Sequence, residues 1–66
     1  MEPARGKIIF FNAKSRFGFI KNYYDNKNYY VHEKNFLESV EPEDEVDFEL
    51  KEAKRGPVAV NVKKIS

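Results

Sequence analysis

Cysteine and tryptophan are absent from this chain of 66 residues, and glycine and proline occur only three times each. Without cysteine the chain forms no disulfide and none of the zinc sites that depend on thiolates. No apolar run approaches the ~20 residues of a membrane-spanning helix, and residues 1–5 lack the apolar segment of a signal peptide. We therefore expect one small domain over residues 1–66, in a reducing, cytoplasmic setting and away from membranes.

The net charge of +1 conceals a strong polarity along the sequence. Residues 1–36 contain seven basic and three acidic side chains, whereas residues 37–66 contain five basic and eight acidic ones. Seven of those acids lie within residues 38–49, with no basic residue among them. Nine of the ten aromatic residues lie between Phe10 and Phe36. A basic, aromatic first half of this kind points to a polyanionic partner.

Alternation of apolar and polar residues dominates the chain and predicts short β-strands, whereas no segment has the spacing of a long helix. The predicted strands cover residues 7–12, 16–22, 28–32, 46–50 and 58–62, with turn-forming residues between them and at most one turn of helix within 34–39. An open sheet of five strands would leave one face uncovered in so short a chain. We therefore predict an all-β fold, a five-stranded antiparallel barrel of the OB type.

The same alternation separates an inside from an outside. The predicted interior consists of Ile8, Phe11, Gly18, Ile20, Tyr29, Val31, Val46, Phe48, Leu50, Val60 and Val62. Gly18 interrupts its strand as glycine does where another backbone passes close by. The opposite parity places Phe17, Phe19, Tyr30 and His32 together on the outside. Burial of one Phe is worth about 1.5–3 kcal/mol, so a short chain that exposes two of them is expected to use them in an interaction.

Aromatic side chains on a sheet face, flanked by Lys and Arg, form the surface on which unpaired nucleic-acid bases stack. Two other interpretations stay open. The rings pack against the 34–41 loop, or the barrel is a protein-interaction module whose aromatic face docks a peptide or a second protomer.

Enzymatic and metal-dependent activities are not expected. His32 is the only histidine, and without a cysteine, a second histidine or a close carboxylate cluster it is neither a metal site nor a general base. The acidic segment lacks the calcium-loop pattern and is better explained as the solvated face of a strand. We predict no catalytic residue, no metal and no cofactor.

From about residue 5 to residue 64 the chain resembles the cold-shock domain family, small OB-fold proteins that bind single-stranded RNA and DNA. The resemblance rests on Gly6-Lys7 with Phe10-Phe11-Asn12, on Phe17-Gly18-Phe19-Ile20, on Tyr30-Val31-His32, and on Arg55-Gly56-Pro57 with Ala59 and Asn61-Val62. Each motif is weak by itself, but all four occur in order and at the family's spacing. The resemblance implies a chaperone role, in which the protein opposes RNA hairpins without ATP.

The resemblance also implies roles for individual residues. Base-stacking positions correspond to Phe10, Phe17, Phe19, Tyr30 and His32, while Asn12 and Asn61 match polar positions that touch the ligand or brace loops. We expect Lys7, Lys14, Arg16, Lys21 and also Lys34 to meet phosphates. The predicted partner is thus a single strand of RNA or DNA, bound by a monomer with little sequence preference.

Four features depart from the family's usual pattern. Phe10 stands at a position usually held by Trp, so the ring is smaller and has no N–H donor. Ser15-Arg16 stands where Lys-Gly is common, which puts a side chain at a turn position expected to have a positive φ. Glu33 stands where an aromatic residue usually follows the histidine, so an anion is expected at the edge of the aromatic surface. The segment between Phe36 and Val46 is shorter than usual and lacks an aromatic loop.

Overall fold

The computed structural model describes residues 2–65, with only the backbone described for Glu2. Its elements are β1 (Glu2–Asn12), β2 (Phe17–Asn22), β3 (Asn28–His32), a 3₁₀ helix (Glu33–Asn35), β4 (Glu45–Ala53) and β5 (Gly56–Lys64). The strands close into a barrel in the order β1-β2-β3-β5-β4. The predicted all-β, five-stranded OB-type barrel is therefore confirmed.

One strand pairing differs from the predicted antiparallel arrangement. β3 and β5 are parallel, with Tyr30 opposite Val58, while the other four pairings are antiparallel. The reason is geometric, because strand direction would have to reverse at every step around the ring. A closed ring with an odd number of strands cannot satisfy that condition, so at least one pair must be parallel.

β1 begins earlier than predicted because it pairs on both sides. Its residues 2–7 pair with β4, and residues 6–12 pair with β2. The first of these segments, which contains Pro3 and Arg5, shows no apolar alternation, so the sequence pattern located only the second. By contrast, the predicted bounds of β3 agree with the structure, and the single helical turn expected within residues 34–39 begins one residue earlier, at Glu33–Asn35.

The core contains most of the predicted interior. Buried side chains from the prediction are Ile8, Ile20, Val31, Val46, Phe48, Val60 and Val62, and Gly18 is also buried. Phe11 and Leu50 are partly buried against this core, and Tyr29 is half-buried. The prediction missed Ala4, Val40 and Ala59, which are buried as well.

Two irregularities in strand pairing change which side chains face inward. In β1 the register shifts between Ile8 and Phe10, so Ile9 is the extra residue and Phe10 faces outward. In β5 the register against β4 shifts at Asn61, whose φ is 53°. Both have the form of β-bulges, which reverse the alternation locally. The first of them decides the position of a ring in the surface described below.

Candidate nucleic-acid interface

Four aromatic rings lie side by side on the outer face of β1, β2 and β3. We call Phe10, Phe17, Phe19 and Tyr30 the aromatic platform. Phe17 and Tyr30 are stacked, with centroids 5.5 Å apart and an interplanar angle of 22°. Phe19 meets both of them edge-on, and Phe10 lies 6.2 Å from each of the two other Phe rings. These distances lie within the range of favourable aromatic pairs.

Strand register and one glycine build the platform. Phe19 lies opposite Phe10 on β1 and opposite Tyr30 on β3, so the three side chains form one row across the sheet. Gly18 lets β1 approach β2 closely, because a Cβ at this position would lie 2.2 Å from the carbonyl oxygen of Phe10. This confirms the expected close passage of a backbone at Gly18.

The platform is open to solvent. Phe10 and Tyr30 keep 44% and 41% of their surface exposed, while Phe17 and Phe19 are half-buried by their neighbours. The rings pack against one another, and each retains accessible surface. The predicted outward position of Phe17, Phe19 and Tyr30 is thus confirmed, and their contact with bases stays a prediction.

His32 and Asn12 lie at one end of the platform, opposite Phe17 on either side. His32 Nδ1 accepts a hydrogen bond from the backbone N–H of Lys34 at 3.1 Å and so caps the 3₁₀ helix. In the neutral ring Nε2 therefore carries the proton and is the available donor. Asn12 Oδ1 accepts hydrogen bonds from the N–H groups of Lys14 and Ser15, so its side chain braces the turn between β1 and β2.

Arg16 ends that turn in a strained conformation. Its φ is 59°, which confirms the expected positive φ at this position. Its N–H donates to the carbonyl oxygen of Asn12, and its own carbonyl oxygen accepts from the N–H of Glu33. The first hydrogen bond closes the turn, and the second holds it against the 3₁₀ helix.

The predicted phosphate-binding cations fall into two groups. The side chains of Lys14, Arg16, Lys21 and Lys34 are exposed, and no carboxylate of residues 3–65 lies within ion-pair distance of them. Lys7 differs, because its Nζ lies 3.7 Å from Oε1 of Glu43. It also lies directly opposite Glu45 on β4.

Two further donors beside Lys7 are held by acids of β4. Arg5 Nε donates to Asp47 Oδ1 at 2.9 Å, and this hydrogen bond raises the pKa of Arg5 above its ordinary value. The hydroxyl of Tyr23 donates to Glu45 Oε2 at 2.8 Å, which raises the pKa of Tyr23, with desolvation as a smaller cause. Sequence reasoning found the acidic segment but missed these contacts, because they depend on the register between β1 and β4.

The two remaining polar candidates are Glu33 and Asn61. Glu33 is exposed at the start of the 3₁₀ helix and lines a shallow depression with Phe11 and Phe36. Its expected position at the edge of the aromatic surface stays a prediction. Asn61 Nδ2 donates to Glu49 Oε1 at 2.6 Å between β5 and β4, so its side chain braces the bulge.

The platform is a flat surface and not a cavity. A depression of about 900 Å³ that is open to solvent is lined by other residues, among them Pro3, Tyr24, Tyr29 and Pro57. Among the side chains of residues 3–65, no group of three or more His, Asp or Glu is arranged to hold a metal ion. No helix in the same part of the chain is long and apolar enough to cross a membrane.

Comparison with known proteins identifies relatives that match nearly the whole chain. The family described as 'Cold-shock' DNA-binding domain matches residues 4–65. Cold shock-like protein CspC of Shigella flexneri is 33% identical over 66 residues, covering 94% of this chain and 96% of that protein. The major cold shock protein of Streptococcus pyogenes serotype M1 is 33% identical over 67 residues, covering 96% and 98% respectively. The chain therefore belongs to the cold-shock domain family, whose members are non-enzymatic, nucleic-acid-binding proteins.

Proposed function

We propose that this protein binds single-stranded RNA or DNA, with little sequence preference, through the aromatic platform. The observation that carries the proposal is the cluster of four solvent-accessible rings, two exposed and two half-buried, on three adjacent strands, with neighbouring centroids 5.5–6.4 Å apart. Every base offers a π-face, so stacking on such rings tolerates any sequence. Bases in a duplex already stack on one another, so the platform favours unpaired strands.

The proposed mechanism divides the work between rings and cations. The rings hold one another in place, so little conformational freedom is lost when a base stacks on Phe10 or Tyr30. Lys21 lies beyond one end of the platform, and Lys14 and Arg16 lie in the turn at the other end. From residue 17 to residue 21, β2 spans about 13 Å, so a strand that crosses the rings can meet cations at both ends. The Nε2–H of His32 is a further donor to the bound strand.

The same binding equilibrium provides a chaperone activity. A protein that binds only the unpaired form of an RNA shifts the hairpin equilibrium toward that form by mass action. This requires neither ATP nor a cofactor, and one protomer already carries the whole platform. We therefore propose a monomeric RNA chaperone of the cytoplasm. It is tested by adding the protein to a fluorophore-labelled RNA hairpin, whose melting temperature should fall as the protein concentration rises.

Titration of labelled oligothymidine and oligouridine tests the binding surface. Phe17→Ala and Phe19→Ala should each weaken binding by about 1–3 kcal/mol, which is the contribution of one stacked base. Tyr24→Ala is the matched control, because Tyr24 is 77% exposed and takes part in none of the platform's ring contacts. Its affinity should equal that of the wild-type protein.

Two results would contradict the proposal. The first is an equal loss of affinity for Tyr24→Ala and the platform variants. The second is an absence of binding to either oligonucleotide, which would favour a protein-interaction role for the aromatic face. The unfolding free energy of each variant is measured in parallel. Phe48→Ala, in the core, should lose about 3–5 kcal/mol of stability, whereas the platform variants should lose far less.

A further inference from the structure

Three acidic side chains of β4 and the loop before it lie beside the outer face of the first part of β1. We call Glu43, Glu45 and Asp47 the carboxylate row. Each of them holds one donor from the neighbouring strands: Glu43 pairs with Lys7, Glu45 accepts from Tyr23, and Asp47 pairs with Arg5. All three donors lie on the outer face, at the start of β1 and just after β2.

The backbone fixes the position of this row. Glu45 lies opposite Lys7, and Asp47 lies opposite Arg5, in the antiparallel ladder between β4 and β1. The loop before β4 is attached to β1 by two hydrogen bonds, from the N–H of Glu43 to the carbonyl oxygen of Ile8 and from the N–H of Ile8 to the carbonyl oxygen of Asp44. Glu43 is thus held beside Lys7 in a left-handed conformation, with a φ of 77°.

We infer that the carboxylate row is the boundary of the nucleic-acid surface and prevents Lys7 from adding to the affinity for a polyanion. This inference rests on the proposed function only in taking the polyanion to be a single strand. A phosphate brought to Lys7 would also approach Glu43 and Glu45, well within the ~10 Å over which charges interact at 0.1 M salt. The strand therefore crosses β2 and β3 and leaves the platform through the turn that contains Lys14 and Arg16.

A double-mutant cycle between Glu43 and Lys7 tests this boundary. Affinity for labelled oligothymidine is measured for the wild-type protein, Glu43→Gln, Lys7→Gln and the double variant, at low and moderate salt. Glu43→Gln should steepen the slope of log K against log salt by about 0.7, the effect of one added phosphate contact. Between about 50 mM and about 200 mM salt this corresponds to an additional loss of affinity of about 2.6-fold.

The variants of Lys7 give the decisive comparison. In the wild-type protein, Lys7→Gln should change the affinity for oligothymidine less than twofold. In the Glu43→Gln variant, the same substitution should remove the whole increase in affinity that Glu43→Gln produced. An equal loss in both backgrounds would show that Lys7 already binds phosphate and would overturn the inference. The control is Glu52→Gln, which removes the same charge from an exposed position of β4 that has no ion pair within residues 2–65.

Retention on heparin separates this inference from the proposed function, because heparin is a polyanion without bases. If oligothymidine does not bind, the proposed function fails, and heparin alone decides about the boundary. Glu43→Gln should then be retained longer than Glu52→Gln, and Lys7→Gln should remove the difference. Equal retention of Glu43→Gln and Glu52→Gln would overturn the inference.

Discussion

At the scale of single residues, Arg16 combines a strained backbone with a charge beside the platform that has no ion pair among residues 3–65. A left-handed conformation costs a non-glycine residue about 1–2 kcal/mol, whereas glycine adopts it freely but loses about 0.5–1 kcal/mol more conformational entropy on folding. Glycine at a φ of 59° is therefore expected to be at least as stable as Arg16, and we predict that the charge of Arg16 contributes to binding.

Two substitutions separate the charge of Arg16 from its strain. Arg16→Gln should weaken binding to oligothymidine and make the slope of log K against log salt shallower by about 0.7. Its unfolding free energy should equal that of the wild-type protein. Arg16→Gly should weaken binding equally but match or exceed the wild-type stability by up to roughly 1 kcal/mol. Urea unfolding and salt titrations measure the two effects. Equal stability losses in both variants would show that the side chain packs against the turn.

Asp25 provides a second prediction for single residues, and it concerns acid stability. Its carboxylate accepts hydrogen bonds from the hydroxyl of Tyr29 and the N–H of Lys27. The bond from Tyr29 is the main reason that the pKa of Asp25 lies below its ordinary value of 3.8. The unfolded state therefore binds the proton more readily than the folded state does. The stabilisation is present above the unfolded pKa and is lost as the pH falls through the folded one.

Asp25→Asn removes this titration and should flatten the loss of stability on acidification. The unfolding free energy is measured in urea at neutral pH and near pH 3. The difference between the two values should be smaller for Asp25→Asn than for the wild-type protein. Tyr29→Phe removes the same hydrogen bond and should show a similar change. An equal loss of unfolding free energy on acidification in all three proteins would contradict the stabilising role of the hydrogen bond between Tyr29 and Asp25.

At the scale of elements, the close approach of β1 and β2 at Gly18 supports the whole platform. A Cβ there would lie 2.2 Å from the carbonyl oxygen of Phe10, so the two strands must separate to admit a methyl group. We expect Gly18→Ala to destabilise the fold by about 1–3 kcal/mol or more and to weaken oligothymidine binding, because its neighbours Phe17 and Phe19 move with it. Ser15→Ala, in the exposed turn before β2, should stay within about 0.5 kcal/mol of the wild-type protein.

If the unfolding free energy of Gly18→Ala equals that of the wild-type protein, β1 moves away from β2 without a loss of stability. The platform geometry would then not depend on this contact.

The elements also show how far the sequence pattern reaches. β3 was located correctly because its alternation is bounded by Asx residues on one side and ends at His32. The start of β1 was missed, because Pro3 and Arg5 are held by pairing with β4 and not by an apolar pattern. In β5 the predicted interior positions Val60 and Val62 are both buried, but Ala59, which is buried as well, was missed, because the register against β4 shifts at the left-handed Asn61. A local pattern does not contain the information that places a bulge.

The candidate site follows the same rule. The outward side chains of Phe17 and Phe19 could be predicted, because alternation within a single strand determines which side of the sheet they face. The pairing of Lys7 with Glu43 could not, since the two residues are distant in sequence and meet only when the loop before β4 is attached to Ile8. Sequence reasoning therefore identified the rings reliably, but it treated all the cations as equivalent.

At the scale of the whole molecule, the uneven distribution of charge along the sequence becomes an uneven distribution of charge over the surface. The basic, aromatic first half forms β1 to β3 and carries the platform, and the acidic segment becomes β4 and the loop before it. Contact between the halves along β1 neutralises Arg5 and Lys7. Among the side chains of residues 3–65, the unpaired cations near the platform are then Lys14, Arg16 and Lys21, with Lys34 just beyond His32.

This small number of cations predicts a shallow salt dependence for single-strand binding. Two to four phosphate contacts, each contributing about −0.7 to the slope of log K against log salt, give a slope between about −1.4 and −2.8. Most of the affinity should then persist at moderate salt, because stacking of bases on the rings is only weakly screened. The slope is measured with oligothymidine over a series of salt concentrations, for the wild-type protein and for Phe19→Ala. Loss of a ring should lower the affinity at every salt concentration and leave the slope unchanged.

A wild-type slope steeper than about −4 would mean more phosphate contacts than the unpaired cations near the platform can supply. Charge, and not the aromatic platform, would then dominate the affinity.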